Sequence, residues 1–218
     1  MRAAIPAPRL DPLVLDDLAE GYAGDTGARE HAEGLRFTDV DLSGVDLTAS
    51  SFSECVLEGA LLDRAQLRAA SVVESRLERL DVPGLSAPRS RWRSVELLAS
   101  RLGSAELYES TFEQVRLADC KLGYVNLRGA TLRDVVFERC TIDELDLGGA
   151  SGSRVAFVDC DVRSLDLPGA RIDDLDLRGA ELHVLGGLDG LRGAALTELQ
   201  LGLMLPLFAQ HFGVRVLG

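Results

Sequence analysis

The chain has 218 residues, a formal net charge of −12, and 46% hydrophobic and 27% charged residues. That composition is ordinary for a globular protein, has no apolar run approaching the length of a membrane-spanning helix, and is too acidic for direct binding to nucleic acid or anionic membrane. The opening MRAAIPAPRLDPL has no continuous apolar stretch ahead of a cleavage-like site, so the expected location is the cytoplasm.

Residues 1–34 hold 7 acids against 3 bases, with several glycines and few aromatics. They predict an acidic N-terminal arm or cap, loosely held, with at most a short helix near Leu13–Ala19.

From Phe37 a new rule takes over. Every fifth residue, through Leu42, Leu47 and Phe52 and on to Leu177 and Leu182, is large and apolar, except Ala87 and Gly152. Two residues before each stands a second, smaller series that includes Val45, Ser50, Cys55, Ala60, Cys120, Cys140 and Cys160. The other three positions of each five are mostly polar, charged or glycine. Helices repeat at 3.6 residues, strands at 2 and coiled coils at 7, so none of these templates fits. A strict short repeat sustained this long predicts a solenoid, whose units bury their apolar side only by stacking.

Four stretches, VNLRG from Val125, ATLRD from Ala130, LDLPG from Leu165 and LDLRG from Leu175, resemble the A-(D/N)-L-X-X motif of the pentapeptide-repeat family. The resemblance runs from about Leu35 to Val184. It implies an all-β solenoid, a right-handed quadrilateral β-helix with four pentapeptides per coil. The repeat domain is then 35–184, between the arm and a C-terminal helical module at 185–218. About seven and a half coils, at roughly 4.8 Å per stacked strand, give a rod on the order of 36 Å long.

Residues twenty apart should then lie one above another. Gly129, Gly149 and Gly169 form one such column, suited to a sharp corner with positive φ. Charges alternate in three others: Asp119, Arg139, Asp159; Asp134, Arg154, Asp174; and Arg93, Glu113, Arg133. Each opposed pair is expected to contribute roughly 0.2–1 kcal/mol when exposed. The column Glu106, Asn126, Asp146, Asp166 has no base. Residues 35–104 carry 10 acids and 9 bases, whereas residues 105–184 carry 16 acids and 9 bases, so the negative field belongs to the later coils. The stretch from Val82 to Arg101, with Pro83, Pro88 and a cluster of arginines, is expected to be imperfect or bulged.

Beyond Gly186 the period stops. Thr197 is a plausible N-cap, and Leu201, Leu205, Phe208 and Phe212 fall at helical spacing on one face, with Leu199 and Leu203 on another. Pro206 should kink this helix or start a second one. So apolar a segment predicts capping of the rod together with homodimerisation, which the family resemblance also favours.

The sequence shows no catalytic constellation. His31, His183 and His211 are scattered, and there is no glycine-rich phosphate loop or HExxH. No enzyme activity, cofactor or metal is expected. The cysteines occupy the small inward position and read as packed hydrophobes. The resemblance extends to the Qnr-type fluoroquinolone-resistance members, acidic dimeric rods that mimic DNA and bind type II topoisomerases, namely DNA gyrase and topoisomerase IV. It implies a protein partner on an acidic surface that includes Glu106, Asp146, Asp166 and Asp176, and a dimer interface at Leu201, Leu205, Phe208 and Phe212. No long loop interrupts the repeat, unlike members whose quinolone protection depends on projecting loops. The alternative reading is a structural or protein-interaction scaffold with another partner.

Overall fold

The computed structural model describes residues 5–215. From His31 onward every strand pairs in parallel with the strand twenty residues away, as in Thr111↔Thr131 and Lys121↔Thr141. The result is a right-handed four-sided β-solenoid of about eight turns, closed at one end by a single helix.

Two sheets make up the wall. In the larger one, strands such as Ser71–Glu78, Arg91–Leu98, Thr111–Ala118 and Thr131–Glu138 each bend round a corner and cover two sides. The pairing skips the corner residue, so Glu113 and Val115 pair with the next coil while Gln114 does not. The corner residues Ser94, Gln114, Asp134 and Arg154 all have φ between 53° and 57°. Gly129, Gly149 and Gly169 occupy another left-handed corner, with φ of 64° to 68°. The smaller sheet contains Asp81–Ser86, Arg101–Glu106, Lys121–Asn126, Thr141–Asp146, Cys160–Asp166 and Ala180–Gly186. Here the skipped residues are those at 83, 103, 123, 143, 163 and 183.

That corner explains why the stretch 82–101 does not bulge. Its register is unbroken, from Asp81↔Arg101 to Ser86↔Glu106, because Pro83 stands where the ladder asks for no partner. Pro88 is equally harmless. At the equivalent place, the Arg128 and Gly148 N–H groups go to the side chains of Asn126 and Asp146, so a proline there forfeits no coil-to-coil bond.

Inside, the central residues stack in files. Phe37, Leu42, Leu122, Leu132, Ile142 and Leu167 are fully buried. Phe157 lies over Phe137 with ring centroids 4.8 Å apart and planes 7° from parallel, one coil spacing. The smaller inward series does a second job. Ser75 and Ser100 donate their hydroxyls to the carbonyls two residues earlier, at 2.6 and 2.7 Å. Cys120, Cys140 and Cys160 donate their thiols to the equivalent carbonyls at 3.3–3.4 Å. All four cysteines are buried and free. Hydrogen bonding to Cys120, together with burial, pushes the Cys140 thiol up to about 11. These are packing and corner-fastening groups.

Both ends depart from the sequence reading. Residues 13–19 form no helix; Ala19–Glu20 is a strand paired with Leu35 and Arg36, and Gly21 lies against the Phe37 ring. Pairing at the twenty-residue spacing starts at His31–Glu33, with Ala32 buried in the central position, so the rod begins before the boundary drawn at 34/35. At the other end Gly187 turns the chain with φ 66°, and Thr197 and Gln200 form a capping box for helix α1, Glu198–His211. Gln200 also donates to the Leu177 and Ala180 carbonyls, both at 2.7 Å, which the rod's last coil would otherwise leave open. Helix α1 runs through Pro206 as one helix, neither broken nor restarted. The carbonyl four residues earlier belongs to exposed Gly202, where water can serve it.

Gly152 is the one central position with no side chain, yet it is not a vacancy waiting to be filled. Its φ is 151°, and an added Cβ would lie 1.7 Å from the Leu132 carbonyl oxygen. Gly152→Leu, which restores the repeat in sequence, is therefore expected to lower the thermal midpoint, with roughly 1–3 kcal/mol lost to backbone conformation alone. Calorimetry showing a raised midpoint would refute the account.

Candidate interaction surfaces

The acidic column is real, but it is built differently from a row of free charges. Glu106, Asn126, Asp146 and Asp166 end successive strands of the smaller sheet and lie in register. Asn126 Nδ2 donates to Glu106 Oε2 at 2.7 Å. Asp146 is 9% exposed, and its carboxylate accepts from the Gly148 N–H at 2.8 Å and from Arg128 at 2.9 Å. Its position in the motif makes it a turn fastener, as Asp41 and Asp46 are toward Ser43 and Thr48. Those backbone bonds and the turn hydroxyls hold Asp41 and Asp46 below the usual carboxylate range. Asp166 precedes Leu167 and Pro168, so the N–H that such a turn would offer it is missing. Asp176 is not part of this column. It lies on the larger sheet, bound in two-pronged fashion by Arg178 at 2.6 and 2.8 Å.

Of the alternating ladders, two form one rung each. Arg139 grips Asp119 with two bonds of 2.7 Å, and Arg154 grips Asp134 at 2.6 and 2.7 Å. In the third column Arg93 turns away from Glu113 and pairs with Glu74 at 3.1 Å. A diagonal network joins Arg76, Glu96, Arg116, Glu138, Arg139 and Asp119. Spacing of twenty reveals the Arg76–Glu96–Arg116 part. The step from Arg116 to Glu138 is twenty-two residues, and the period alone does not show it.

These networks neutralise much of the larger sheet. Asp173 is exposed on the larger sheet, but the greater excess of acid gathers on the last three strands of the smaller one, where Arg163 lies 3.7 Å from Asp143. Asp143, Glu144, Asp161 and Glu181 are exposed there, beside Asp166, with Arg163 the only formal cation on the same strands. His183 contacts Asp161 at 2.8 Å.

Next to this face, helix α1 docks through Gln200, Met204 and Phe208, so that of the stripe read from sequence only Phe208 turns to the rod. Phe208 packs against the core, while Leu201, Leu205 and Phe212 are 47%, 59% and 72% exposed on one flank. Leu199 and Leu203 are exposed on the other flank, over a groove floored by Leu182, Val184 and Leu185. Among the described residues no group of His, Cys, Asp or Glu side chains is arranged to hold a metal ion, and no helix is long and apolar enough to cross a membrane.

A model of pentapeptide repeats matches in 8 copies, over residues 36–79, 99–134 and 110–149. The chain belongs to the pentapeptide-repeat family. Among solved pentapeptide-repeat and related structures, a trypsin-treated form of QnrB1, a plasmid-mediated fluoroquinolone resistance protein, is 20% identical, with 89% of this chain and 92% of that one covered and a TM-score of 0.38. Full-length QnrB1 is 18% identical, with 87% and 94% covered and a TM-score of 0.30. HetL, a pentapeptide-repeat protein involved in heterocyst differentiation regulation from the cyanobacterium Nostoc sp. strain PCC 7120, is 18% identical, with 78% and 88% covered and a TM-score of 0.26. No curated protein matches this chain. At these scores the likenesses carry no argument about partner or activity.

The Asp134–Arg154 pair offers a check on the electrostatics of the pentapeptide rod. The hydrogen bonds from Arg154, with a smaller part from the Arg9 amide, hold the Asp134 carboxyl below its ordinary 3.8 against the opposing push of burial. A lowered folded-state pKa means stabilisation that is complete at neutral pH and lost as pH falls through the folded value. Asp134→Asn should cost about 1–3 kcal/mol at pH 7. In denaturant titrations the gap from wild type should close as pH drops below 3.8. A gap independent of pH would exclude the ion pair as its source.

Proposed function

We propose that this pentapeptide-repeat protein is a non-enzymatic binding protein that docks its acidic later coils on the basic, DNA-binding surface of a type II topoisomerase, DNA gyrase or topoisomerase IV, as a mimic of duplex DNA. The observation that carries this reading is the charge of the last three strands of the smaller sheet, where five solvent-accessible acids, Asp143, Glu144, Asp161, Asp166 and Glu181, stand against one arginine. The flat wall supports it, since a partner as broad as a DNA-binding groove needs no pocket. Of the residues expected from sequence, Glu106 and Asp166 fit the role. Asp146 serves mainly as a turn fastener, and Asp176 faces another side. Glu144 and Glu181 belong with the proposed surface.

Two copies joined through α1 would place two such faces on one elongated body. A second reading, a scaffold for another protein, draws on the neutralised larger sheet, whose ion pairs leave the earlier coils near balance.

Supercoiling by gyrase, measured with and without a quinolone, separates the two readings. Inhibition or protection at micromolar protein is expected. Glu144→Lys with Asp166→Lys and Glu181→Lys should abolish the effect by at least about tenfold in potency, because reversed charges now repel the partner. No effect of the wild-type protein on gyrase supercoiling, nor on decatenation by topoisomerase IV, favours the scaffold. For assembly, Leu201→Glu with Leu205→Glu leaves Met204 and Phe208 docked and should give a monomer by light scattering at unchanged melting temperature. A persisting dimer would exclude this flank of α1 as its interface.

A further inference from the structure

A solenoid is quasi-one-dimensional: each coil touches only its neighbours, so coils can open from an end independently. The N-terminal segment breaks that rule. The Arg9 N–H donates to Asp134 Oδ1 at 2.9 Å, across 125 residues of sequence, and Gln114 Nε2 donates to Asp11 Oδ2 at 3.0 Å, across 103. Ten residues after Arg9, Ala19 pairs with Leu35 at the opening end of the rod. The chain thus descends the corner whose residues are Asp134, Gln114, Ser94, Glu74, Glu54 and Gly34. Five coil steps of about 4.8 Å make roughly 24 Å, and ten extended residues reach about 33 Å, so the segment is stretched but not taut.

Its side chains agree with that path. Leu13 and Leu15 are half-buried while Val14 between them is 71% exposed, the alternation of an extended segment with one side against a surface. Pro6, Pro8 and Pro12 suit an extended chain and oppose a helix. The upper anchor is well made, since Asp134 is 4% exposed and already fixed by Arg154. Arg9 docks on a carboxylate that cannot swing away. Asp17, with φ 55°, turns the chain from this descent into the end strand.

We propose that residues 5–18 are a longitudinal strap that joins the first six coils into one cooperative unit, with Asp134 as its latch. The strap lies ten residues round the coil from the corner of the smaller sheet, on the opposite edge of the rod. It therefore ties coils together without covering the acidic face.

Amide hydrogen exchange by NMR on the full chain tests this. Arg9→Pro with Asp11→Ala removes both long-range bonds from the strap side and leaves the rod untouched. Amides of Ser71–Glu78, Arg91–Leu98 and Thr111–Ala118 should then exchange at least about tenfold faster, the size expected when a hydrogen bond to a buried carboxylate is lost. Amides of Arg171–Asp176 and Ala180–Gly186 should keep their rates. Unchanged rates in the early coils, or acceleration spread evenly along the rod, would overturn the coupling. So would an Arg9 amide that exchanges in the wild-type protein at the rate of an unstructured peptide.

Discussion

Everything in this molecule depends on the parallel backbone ladder closing after twenty residues. Once each coil is hydrogen-bonded to the next, the direction of every side chain is settled: two positions in five point inward, and the rest face water. The ladder also compels corners that the residues would not choose. Asp119, Arg139, Glu109 and others are held at left-handed φ, at a cost of roughly 1–2 kcal/mol each relative to the ordinary helical region. They tolerate it because the bonds on either side over-determine the turn. Where a corner lies on a residue the ladder skips, even proline is admitted, as Pro83 shows.

The same spacing organises the outside. Arginine and carboxylate one coil apart sit at pairing distance, and the diagonal steps extend such pairs into a network across the larger sheet. The smaller sheet lacks that compensation in its last coils, so the charge imbalance appears there as a face. The apolar helix beside it has a separate cause. The last coil leaves open carbonyls and an uncovered core; Gln200 meets the first need, Met204 and Phe208 the second, and the remaining leucines of α1 are surplus to both.

The repeat, its twenty-residue coil, the inward cysteines and the glycine corner were all legible in the sequence, because a side-chain period is a direct image of backbone geometry. Legibility failed where partners are chosen by geometry rather than period. Arg93 has two acids in reach and takes Glu74 over Glu113, which depends on side-chain direction. Met204 rather than Leu201 became the buried residue of α1 because Gln200, one turn earlier on the same face, is held to the Leu177 and Ala180 carbonyls. The strap was invisible because its contacts span more than a hundred residues and follow no repeat. Asp146 misled for a related reason: an acidic residue in the motif announces a charge, while its turn bond shows only once the next N–H is placed.

That turn bond has a consequence for how such a rod acquires its charge. The fastening oxygen can come from aspartate or asparagine alike, as Asp146 and Asn126 show in adjacent coils with bonds of 2.8 and 3.1 Å. The turn geometry is therefore the same for a neutral amide and a charged carboxylate at this position. One oxygen-for-nitrogen exchange per turn can move the rod's field from neutral to strongly negative while leaving coil geometry where it was. Shape and electrostatic character are separate dials on this scaffold, and a common architecture can face very different partners.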